Sequence, residues 1–117
     1  ILQSLDCPVI TVGEGVVASM AAVILACGDH RQVYRHTQVL IHQLMGGTGM
    51  AQQTDIEIVA QHTAAMRAEL DELLAEHGNL SAQEFHELTE RDCWCNARRA
   101  LELGLVDEVI APSKKAL

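Results

Sequence analysis

The first part of the chain alternates short apolar runs with glycine. Residues 9–12 (Val-Ile-Thr-Val) form a β-branched run that stops at Gly13 and Gly15, which predicts a buried strand followed by a turn. Residues 19–26 carry small and apolar side chains and lead to Gly28, which favours a buried helix closed by a glycine cap. We therefore expect a strand, a glycine turn and a helix in direct succession.

Three further apolar runs are typical of short strands. They cover residues 32–34, 39–42 and 105–110. A glycine-rich segment, residues 46–49, interrupts any regular pattern after the second of them. Most of the predicted strands are separated by segments of helical character, which is the arrangement found in α/β proteins.

A long amphipathic helix is predicted for residues 54–77. Thr54 is a plausible N-cap, because Glu57 follows three residues later as in a capping box. The apolar positions recur at spacings of 3, 4 or 7 and make one stripe. They are Ile56, Val59, Met66, Leu70 and Leu73. Core packing would explain the stripe, although a helix of this length could also project and pair with another subunit.

Two shorter helices are predicted near the end of the chain. Ser81, followed by Glu84 three residues later, would begin a helix over residues 81–88, and residues 97–103 would form another. The complete pattern predicts a single α/β domain over residues 1–117, with a largely parallel sheet and flanking helices.

Charge and hydropathy exclude several classes of partner. The chain has 16 acidic and 8 basic residues, and the resulting formal net charge of -8 disfavours nucleic acid and anionic membrane surfaces. No apolar run approaches the roughly 18 to 20 residues of a membrane span, and the first residues lack the basic region of a signal peptide. We expect a cytoplasmic protein without nucleic-acid or membrane partners.

The cysteines do not indicate a metal site. Two of the four lie in apolar segments, and Cys93-Trp94-Cys95 lacks the two-residue spacing of zinc ligand pairs. We expect ordinary thiols and no bound metal.

Ser19 and His42 have settings suited to catalysis. Ser19 follows a strand and a glycine turn and opens a helix, whose N-terminus carries unpaired N–H groups and a partial positive charge. Serine is also a common helix N-cap, so this setting alone leaves both roles open. His42 differs from the other five histidines because it ends an apolar strand-like run before the glycine-rich segment. A third, acidic member cannot be chosen from the residues alone.

Several motifs in the same order resemble the Clp protease proteolytic subunit family. They are Ala-Ser-Met-Ala-Ala at 18–22, Leu-Ile-His-Gln at 40–43 with Gly-Gly at 46–47, Gln-Thr-Asp-Ile-Glu-Ile at 53–58, Thr-Glu-Arg-Asp at 89–92 and Ala-Leu-Glu-Leu-Gly-Leu-Val-Asp at 100–107. The resemblance covers about residues 9–110 and implies a Clp-protease/crotonase-like α/β fold. It also implies that the sequence lacks the N-terminal part of the family domain.

The resemblance implies a role for each member of a catalytic triad. Ser19 matches the nucleophile, His42 the general base and Asp92 the carboxylate that orients the imidazole. The backbone N–H of Met20 matches one oxyanion donor, and the second, a glycine N–H of the family, has no counterpart in this sequence. The assignment of Asp92 as the third member of the triad therefore rests on the resemblance alone.

The same resemblance assigns a groove and an assembly surface. Gly46, Gly47, Thr48 and Gly49 match the segment that lines the substrate groove, and the long helix matches the one that joins two stacked rings. Glu90 and Arg91 match a charged pair that bridges the rings. An exposed ion pair of little energetic consequence would explain these two residues equally well.

The chain departs from the family pattern at three points, none of which removes a member of the triad. Leu44 stands where proline follows Ile-His-Gln, Ala21 replaces a common glycine, and the interval of 23 residues from Ser19 to His42 is about two residues short. The shorter link at residues 29–31 could shift the strand that carries His42.

The function implied is that of a serine endopeptidase subunit of an ATP-dependent protease. It would cleave unfolded polypeptides inside stacked rings and receive them from an AAA+ unfoldase ATPase. No cofactor is implied, and no phosphate-binding loop of the G-x-x-x-x-G-K-[ST] type occurs in the chain. Two alternatives are a catalytically impaired ring subunit and a crotonase-fold enzyme acting on acyl-CoA.

Overall fold

Short strands form two separate sheets in the computed structural model, which describes residues 1–112. In chain order the strands are β1 (Ile10–Gly13), β2 (Val16–Ala18), β3 (His30–Tyr34), β4 (Gln38–Ile41), β5 (Cys93–Asn96) and β6 (Glu108–Ile110). One sheet has the order β1-β3-β6 and is parallel throughout. The other has the order β2-β4-β5, with β2 parallel and β5 antiparallel to β4.

The helices lie between these strands in the chain. They are α1 (Met20–Ala26), α2 (Gln53–His77), α3 (Ala82–Leu88) and α4 (Ala97–Glu102), and a short 3₁₀ turn covers Leu2–Ser4. The α/β architecture expected from the sequence is confirmed. The expected single sheet is corrected to two small ones, because the chain passes from β1 to the second sheet at Gly15.

Gly15 and β2 replace the direct step from turn to helix that the sequence suggested. Gly15 has φ of +69°, a value in the left-handed region that favours glycine, and the chain then forms β2 before α1 begins. Pairing of Val17 with Val39 of β4 accounts for this extra strand. The strand was not predicted because its three residues lie between the glycine turn and α1, so they read as part of the connection between them.

The core lies where α1 packs between the sheets and the C-terminal half of the chain. Its buried side chains come from α1, β3, β4 and the segment that follows α4. They include Leu25, Val33, Val39, Phe85, Leu103 and Leu105. Residues 105–107, which were predicted as the start of the closing strand, instead form a bend after Gly104, and β6 begins at Glu108. Leu105 is nevertheless fully buried.

The long helix α2 contributes little to this core. Its first two-thirds are exposed except for half-buried Thr63 and Arg67, and only Asp71 and Leu74 are buried within it. Core packing explains only the C-terminal part of the apolar stripe, where Leu70 and Leu73 pack against the core. Ile56, Val59 and Met66 are 47%, 37% and 42% exposed and are not covered by it. The expected Thr54 cap is also wrong, since the helix begins at Gln53 after Gln52 and has no side-chain cap.

The short helices have the caps that their sequences suggest. Ser81 Oγ accepts from the Glu84 N–H and a Glu84 carboxylate oxygen accepts from the Ser81 N–H, which confirms the capping box before α3. Asn96 caps α4 by accepting from the Arg99 N–H at 2.8 Å. The second of these caps was not predicted, because Asn96 ends a strand that was also not predicted.

Arg31 links several elements from a buried position. Its Nη2 and Nε donate to the Asp107 carboxylate at 2.6 and 3.0 Å, and its Nη1 donates to the carbonyls of Ala26 and His77 at 3.2 and 2.8 Å. One guanidinium therefore joins β3 to the ends of α1 and α2 and to the segment before β6.

Candidate active site

Ser19 lies at a sharp turn between β2 and α1. Its φ of 60° and ψ of -127° are unusual for an L-residue, and no other non-glycine residue among those described has positive φ. The side chain is exposed and makes no capping hydrogen bond, although Ser19 occupies the N-cap position. Its hydroxyl is therefore not engaged in the role that would otherwise explain a serine here. Backbone strain of this kind is concentrated at functional sites.

The strand that precedes Ser19 fixes its position relative to β4. Ala18 pairs with Leu40, and the Ser19 N–H continues the ladder by donating to the Leu40 carbonyl at 3.0 Å. Met20, the first residue of α1, follows directly, so its N–H belongs to the unpaired donors at the helix start. This is the position expected of an oxyanion donor beside a nucleophile.

His42 follows β4 and faces the same cavity as Ser19. The two residues line a cavity of about 330 Å³. His42 Nδ1 lies 2.6 Å from the carbonyl oxygen of Gln43. Because a carbonyl can only accept, Nδ1 carries the hydrogen, and Nε2 of the neutral ring is left with a free lone pair. That is the tautomer a general base requires when it takes a proton on Nε2.

The walls of this cavity are mainly apolar, with charged groups at one side. Met20, Val23, Ile41, Leu70 and Leu74 contribute apolar surface. Buried Asp71 also lines the cavity and lies 2.7 Å, through its Oδ2, from His86 Nδ1. A pocket of this composition suits an apolar side chain of a bound peptide.

Asp92 borders a different cavity from the one that Ser19 lines. It is exposed and lines a more open cavity of about 730 Å³ that His42 also borders, but Ser19 does not. Within residues 1–112, no hydrogen bond joins His42 to Asp92 or to Ser19, and Nδ1 is occupied by the Gln43 carbonyl. The structure thus brings His42 near both residues without the hydrogen bonds of an assembled triad.

The glycine-rich segment borders a groove beside α2. Gly46, Gly47 and Thr48 share a groove of about 470 Å³ with the first half of α2. Gly49, with φ of +64°, and its neighbours form no strand or helix and are exposed. Among the described residues, no backbone group of residues 46–49 is hydrogen-bonded apart from the Gly49 carbonyl, which accepts from Thr48 Oγ1 at 3.0 Å.

Glu90 and Arg91 are both exposed and form a loose pair. Arg91 Nη1 lies 3.6 Å from a Glu90 carboxylate oxygen and donates to the Glu90 carbonyl at 2.9 Å. The other Glu90 oxygen accepts from Nη2 of Arg67 at 3.1 Å, a contact between α2 and the segment before Asp92 that the sequence did not suggest.

The sequence analysis assigned no role to Gln43, Asp71 or His86. A usable signal was present, because Arg67 and Asp71 fall at helical spacing from Leu70 and Leu74 and so interrupt the apolar face of α2 with charge. Charged residues inside an apolar stripe are rarely buried unless they are paired.

The cysteines are free thiols. Cys95 is buried, which raises its pKa to about 12, and its Sγ lies 3.7 Å from that of Cys93.

Within residues 1–112, no group of three or more His, Cys, Asp or Glu side chains could hold a metal ion. No helix in the same range is long and apolar enough to cross a membrane.

Comparison with known proteins identifies the relatives of this chain. The Clp protease family matches residues 1–113. The ATP-dependent Clp protease proteolytic subunit of Streptococcus sanguinis (strain SK36) is 41% identical over 106 residues, which is 88% of this chain and 54% of that protein. The protein of the same name from Lactococcus lactis subsp. lactis (strain IL1403) is 40% identical over 103 residues, 86% of this chain and 52% of the relative.

The chain spans about half the length of the curated relatives it matches. The match nevertheless includes the motifs around Ser19, His42 and Asp92. These motifs lie on the strand-to-helix turn, the end of β4 and the segment before β5. The chain therefore belongs to the Clp protease family.

Proposed function

We propose that this chain is the catalytic part of a serine endopeptidase subunit of the ATP-dependent Clp type. The observation that carries the proposal is the strained, uncapped Ser19, which shares one cavity with a histidine held in the tautomer of a general base. The names of the relatives support proteolysis coupled to ATP.

The proposed mechanism assigns one step to each group. Ser19 Oγ attacks the carbonyl carbon of the scissile peptide while His42 Nε2 takes the hydroxyl proton, and the same proton later passes to the leaving amine. The Met20 N–H stabilises the oxyanion. Water then hydrolyses the acyl-enzyme by the same proton transfers.

Asp92 would complete the triad by a local change. His42 must exchange the Gln43 carbonyl for the Asp92 carboxylate at Nδ1, which requires movement of the exposed segment that carries Asp92. Either partner keeps the hydrogen on Nδ1. We infer that Asp92 stabilises the imidazolium formed during the reaction, since a carboxylate does so better than a carbonyl.

Unfolded polypeptides are the proposed substrates, and an AAA+ unfoldase ATPase is the proposed partner. Residues 46–49 would hold the substrate in extended form along the groove beside α2. The exposed apolar stripe of α2 and the Glu90–Arg91 pair would take part in self-association into stacked rings. No cofactor enters this mechanism, because the activated serine and its base suffice.

A fluorophosphonate probe tests the serine chemistry. We expect covalent labelling at Ser19, detected by mass spectrometry of the modified peptide, and its loss in Ser19→Ala and His42→Ala. Ser4→Ala and His36→Ala are matched controls, since both side chains are exposed and lie outside the cavity. Labelling that persists in Ser19→Ala would contradict the assignment of the nucleophile.

A second candidate function is a ring subunit that retains the fold without activity. The observation that favours it is the hydrogen bond of His42 Nδ1 to Gln43, which leaves Asp92 outside the site. Complete absence of labelling in the assembled protein, with labelling of an active relative under the same conditions, would support this candidate.

A further inference from the structure

Gln43 connects His42 to the segment that precedes Asp92. Its N–H donates to the Thr89 carbonyl at 3.2 Å, and its side-chain Nε2 donates to the Glu90 carbonyl at 2.9 Å. Its own carbonyl accepts from His42 Nδ1 at 2.6 Å. Every polar group of Gln43 except Oε1 is therefore hydrogen-bonded to His42 or to the segment before Asp92.

The remaining group of Gln43 is bound by α2. Arg67 Nη1 donates to Gln43 Oε1 at 2.8 Å. A guanidinium can only donate and the Glu90 carbonyl can only accept, so these two partners determine which side of the Gln43 amide carries the oxygen. The position of Gln43 is thus fixed from both sides.

Arg67 makes its other hydrogen bonds to the same region. Nη2 donates to the His86 carbonyl at 3.0 Å and to the Glu90 carboxylate at 3.1 Å. The Arg67 side chain is only 16% exposed, and charge-assisted hydrogen bonds of this kind are stronger than neutral ones. One side chain of α2 therefore holds together the end of β4, the end of α3 and the segment before Asp92.

We propose that Arg67 is a positioning residue for His42 in the resting site. Acting through Gln43, it holds the imidazole as the Nδ1–H tautomer until the Asp92 carboxylate replaces the Gln43 carbonyl at Nδ1. Without Arg67, Gln43 Oε1 and the Glu90 carboxylate both lose a cationic donor, so Gln43 loses its anchor on α2 and its carbonyl is held less firmly against His42. The ring then becomes free to place its hydrogen on Nε2, the nitrogen that must be unprotonated to accept the serine proton. This consequence for catalysis rests on the proposed function, whereas the tautomer does not.

Nitrogen NMR of His42 tests the proposal without any need for activity. The chemical shifts of the two ring nitrogens report which one carries the hydrogen in the neutral ring. We expect the Nδ1–H tautomer in the wild type, a marked increase of the Nε2–H tautomer in Arg67→Met, and recovery in Arg67→Lys, which retains a cationic donor for Gln43. An unchanged tautomer in Arg67→Met would overturn the proposal.

Arg91→Met is the matched control. Arg91 contacts the same Glu90 but does not reach Gln43, so the His42 tautomer should not change in this variant. An equal change in Arg91→Met would mean that general loss of charge near Glu90, and not the link through Gln43, sets the tautomer. That result would also overturn the proposal.

A double-mutant cycle isolates the link through Gln43. Gln43→Met removes the side-chain bridge but keeps the backbone carbonyl, so we expect the same shift of tautomer as in Arg67→Met and no further shift in the double variant. Additive effects would contradict an action through Gln43. If circular dichroism shows that Arg67→Met is unfolded, Gln43→Met decides the question by the same measurement.

Labelling by the fluorophosphonate probe separates this proposal from the proposed function. If Ser19 is the nucleophile, Arg67→Met should lower the labelling rate constant by roughly 10- to 100-fold, because a well-placed general base contributes roughly 10²- to 10⁴-fold. Arg67→Lys should recover part of the rate. A wild type that is never labelled would refute the proposed function, while the tautomer measurement would still decide the role of Arg67.

Discussion

At the scale of single residues, Ser19 adopts a backbone conformation that costs energy. For a non-glycine residue, a sparsely populated φ/ψ region costs about 1–3 kcal/mol, and it persists only when the surroundings enforce it. The ladder bond to Leu40 on one side and the start of α1 on the other provide that constraint. The strain is what exposes the hydroxyl at the turn, where a substrate can reach it.

Replacing Ser19 by glycine should show the energetic cost of its backbone conformation apart from its role as nucleophile. We expect Ser19→Gly to raise the free energy of unfolding by about 1 kcal/mol relative to Ser19→Ala, because relief of strain exceeds the entropy that glycine adds to the unfolded chain. Urea denaturation measures the difference, and neither variant should react with the probe.

The neighbouring residue provides the control for this comparison. Ala18→Gly changes a residue of β2 whose φ is negative, so it should destabilise the protein by roughly 0.5–1 kcal/mol. If Ser19→Gly, compared with Ser19→Ala, lowered the free energy of unfolding as much as Ala18→Gly does, Ser19 would not be strained in solution.

Only part of the candidate site could be predicted from local patterns in the sequence. Ser19 and His42 have local settings that indicate chemistry, namely a strand-to-helix turn and a strand end before glycine, and the structure places both on one cavity. Asp92 was identified by resemblance only, because a carboxylate on an exposed segment has no distinctive local pattern. The contacts of Arg67 with Gln43 and Glu90 depend on packing between elements that are distant in sequence, which no local pattern reports.

At the scale of elements, the predictions succeeded where local signals are strong. The end of α2 at Gly78 and the boundaries of α3 follow from turn and capping residues, and the extent of α1 follows from the small apolar run before Gly28. The start of α2 lies one residue before the predicted one, and the cap predicted there is absent. The strand β2 was missed because it lies between a glycine turn and α1, and β5 because Cys-Trp-Cys-Asn contains no β-branched residue. Their partner β4 supplies the pairing that makes them strands.

The cap of α3 and the absent cap of α2 give a direct comparison. We expect Ser81→Ala to lower the free energy of unfolding by about 1 kcal/mol, since it removes the acceptor for the Glu84 N–H. Thr54→Ala should change it by less than about 0.5 kcal/mol, because Thr54 lies inside α2 and caps nothing. Thermal or urea denaturation of the two variants checks this order, and a larger loss from Thr54→Ala would contradict the observed start of α2.

Asp107, which lies in the bend before β6, is paired with buried Arg31 of β3 and should make the free energy of unfolding depend on pH. The hydrogen bonds from Arg31 hold the pKa of Asp107 below its ordinary value. A carboxyl with a lowered pKa contributes stability above its unfolded pKa of about 3.9 and loses that contribution as the pH falls through the lower folded pKa. The stabilisation should therefore be complete at pH 7 and decline below about pH 4.

Asp107→Asn tests this dependence. At pH 7 we expect a loss of about 2–3 kcal/mol, less than the roughly 3–5 kcal/mol of a fully buried pair, because Asp107 is 36% exposed while Arg31 is buried. The difference from wild type should shrink as the pH is lowered to about 3. Glu108→Gln is the control, since it removes an exposed carboxylate from the next residue and should change stability little. A difference that is constant with pH would argue against the Arg31–Asp107 pair.

At the scale of the whole molecule, the shape of the chain suggests that α2 has a partner. The molecule measures 63 × 30 × 27 Å, and the N-terminal two-thirds of α2 is largely exposed. Exposed apolar residues on one face of a long helix commonly mark an interaction site. The sequence indicated this stripe, but only the structure shows that the core does not cover Ile56, Val59 and Met66.

Glutamate on the stripe should weaken the proposed assembly. Val59 and Met66 lie seven residues apart and therefore on one face, so Met66→Glu would place a charge where apolar contact is expected. We expect association weaker by roughly tenfold or more, corresponding to about 1.4 kcal/mol, in sedimentation velocity experiments over a range of concentrations. Because Met66 is 42% exposed within the chain, the free energy of unfolding of the isolated subunit should change little.

Gln61→Glu supplies the matched control for this experiment. Position 61 is exposed on the opposite side of α2, about 140–160° around the helix from Val59 and Met66 at 100° per residue. It introduces the same charge, so a general effect of added negative charge on a chain of net charge -8 would appear in both variants. Equal weakening by both would point to repulsion between whole subunits, whereas weakening by Met66→Glu alone would place the apolar stripe of α2 in the contact between them.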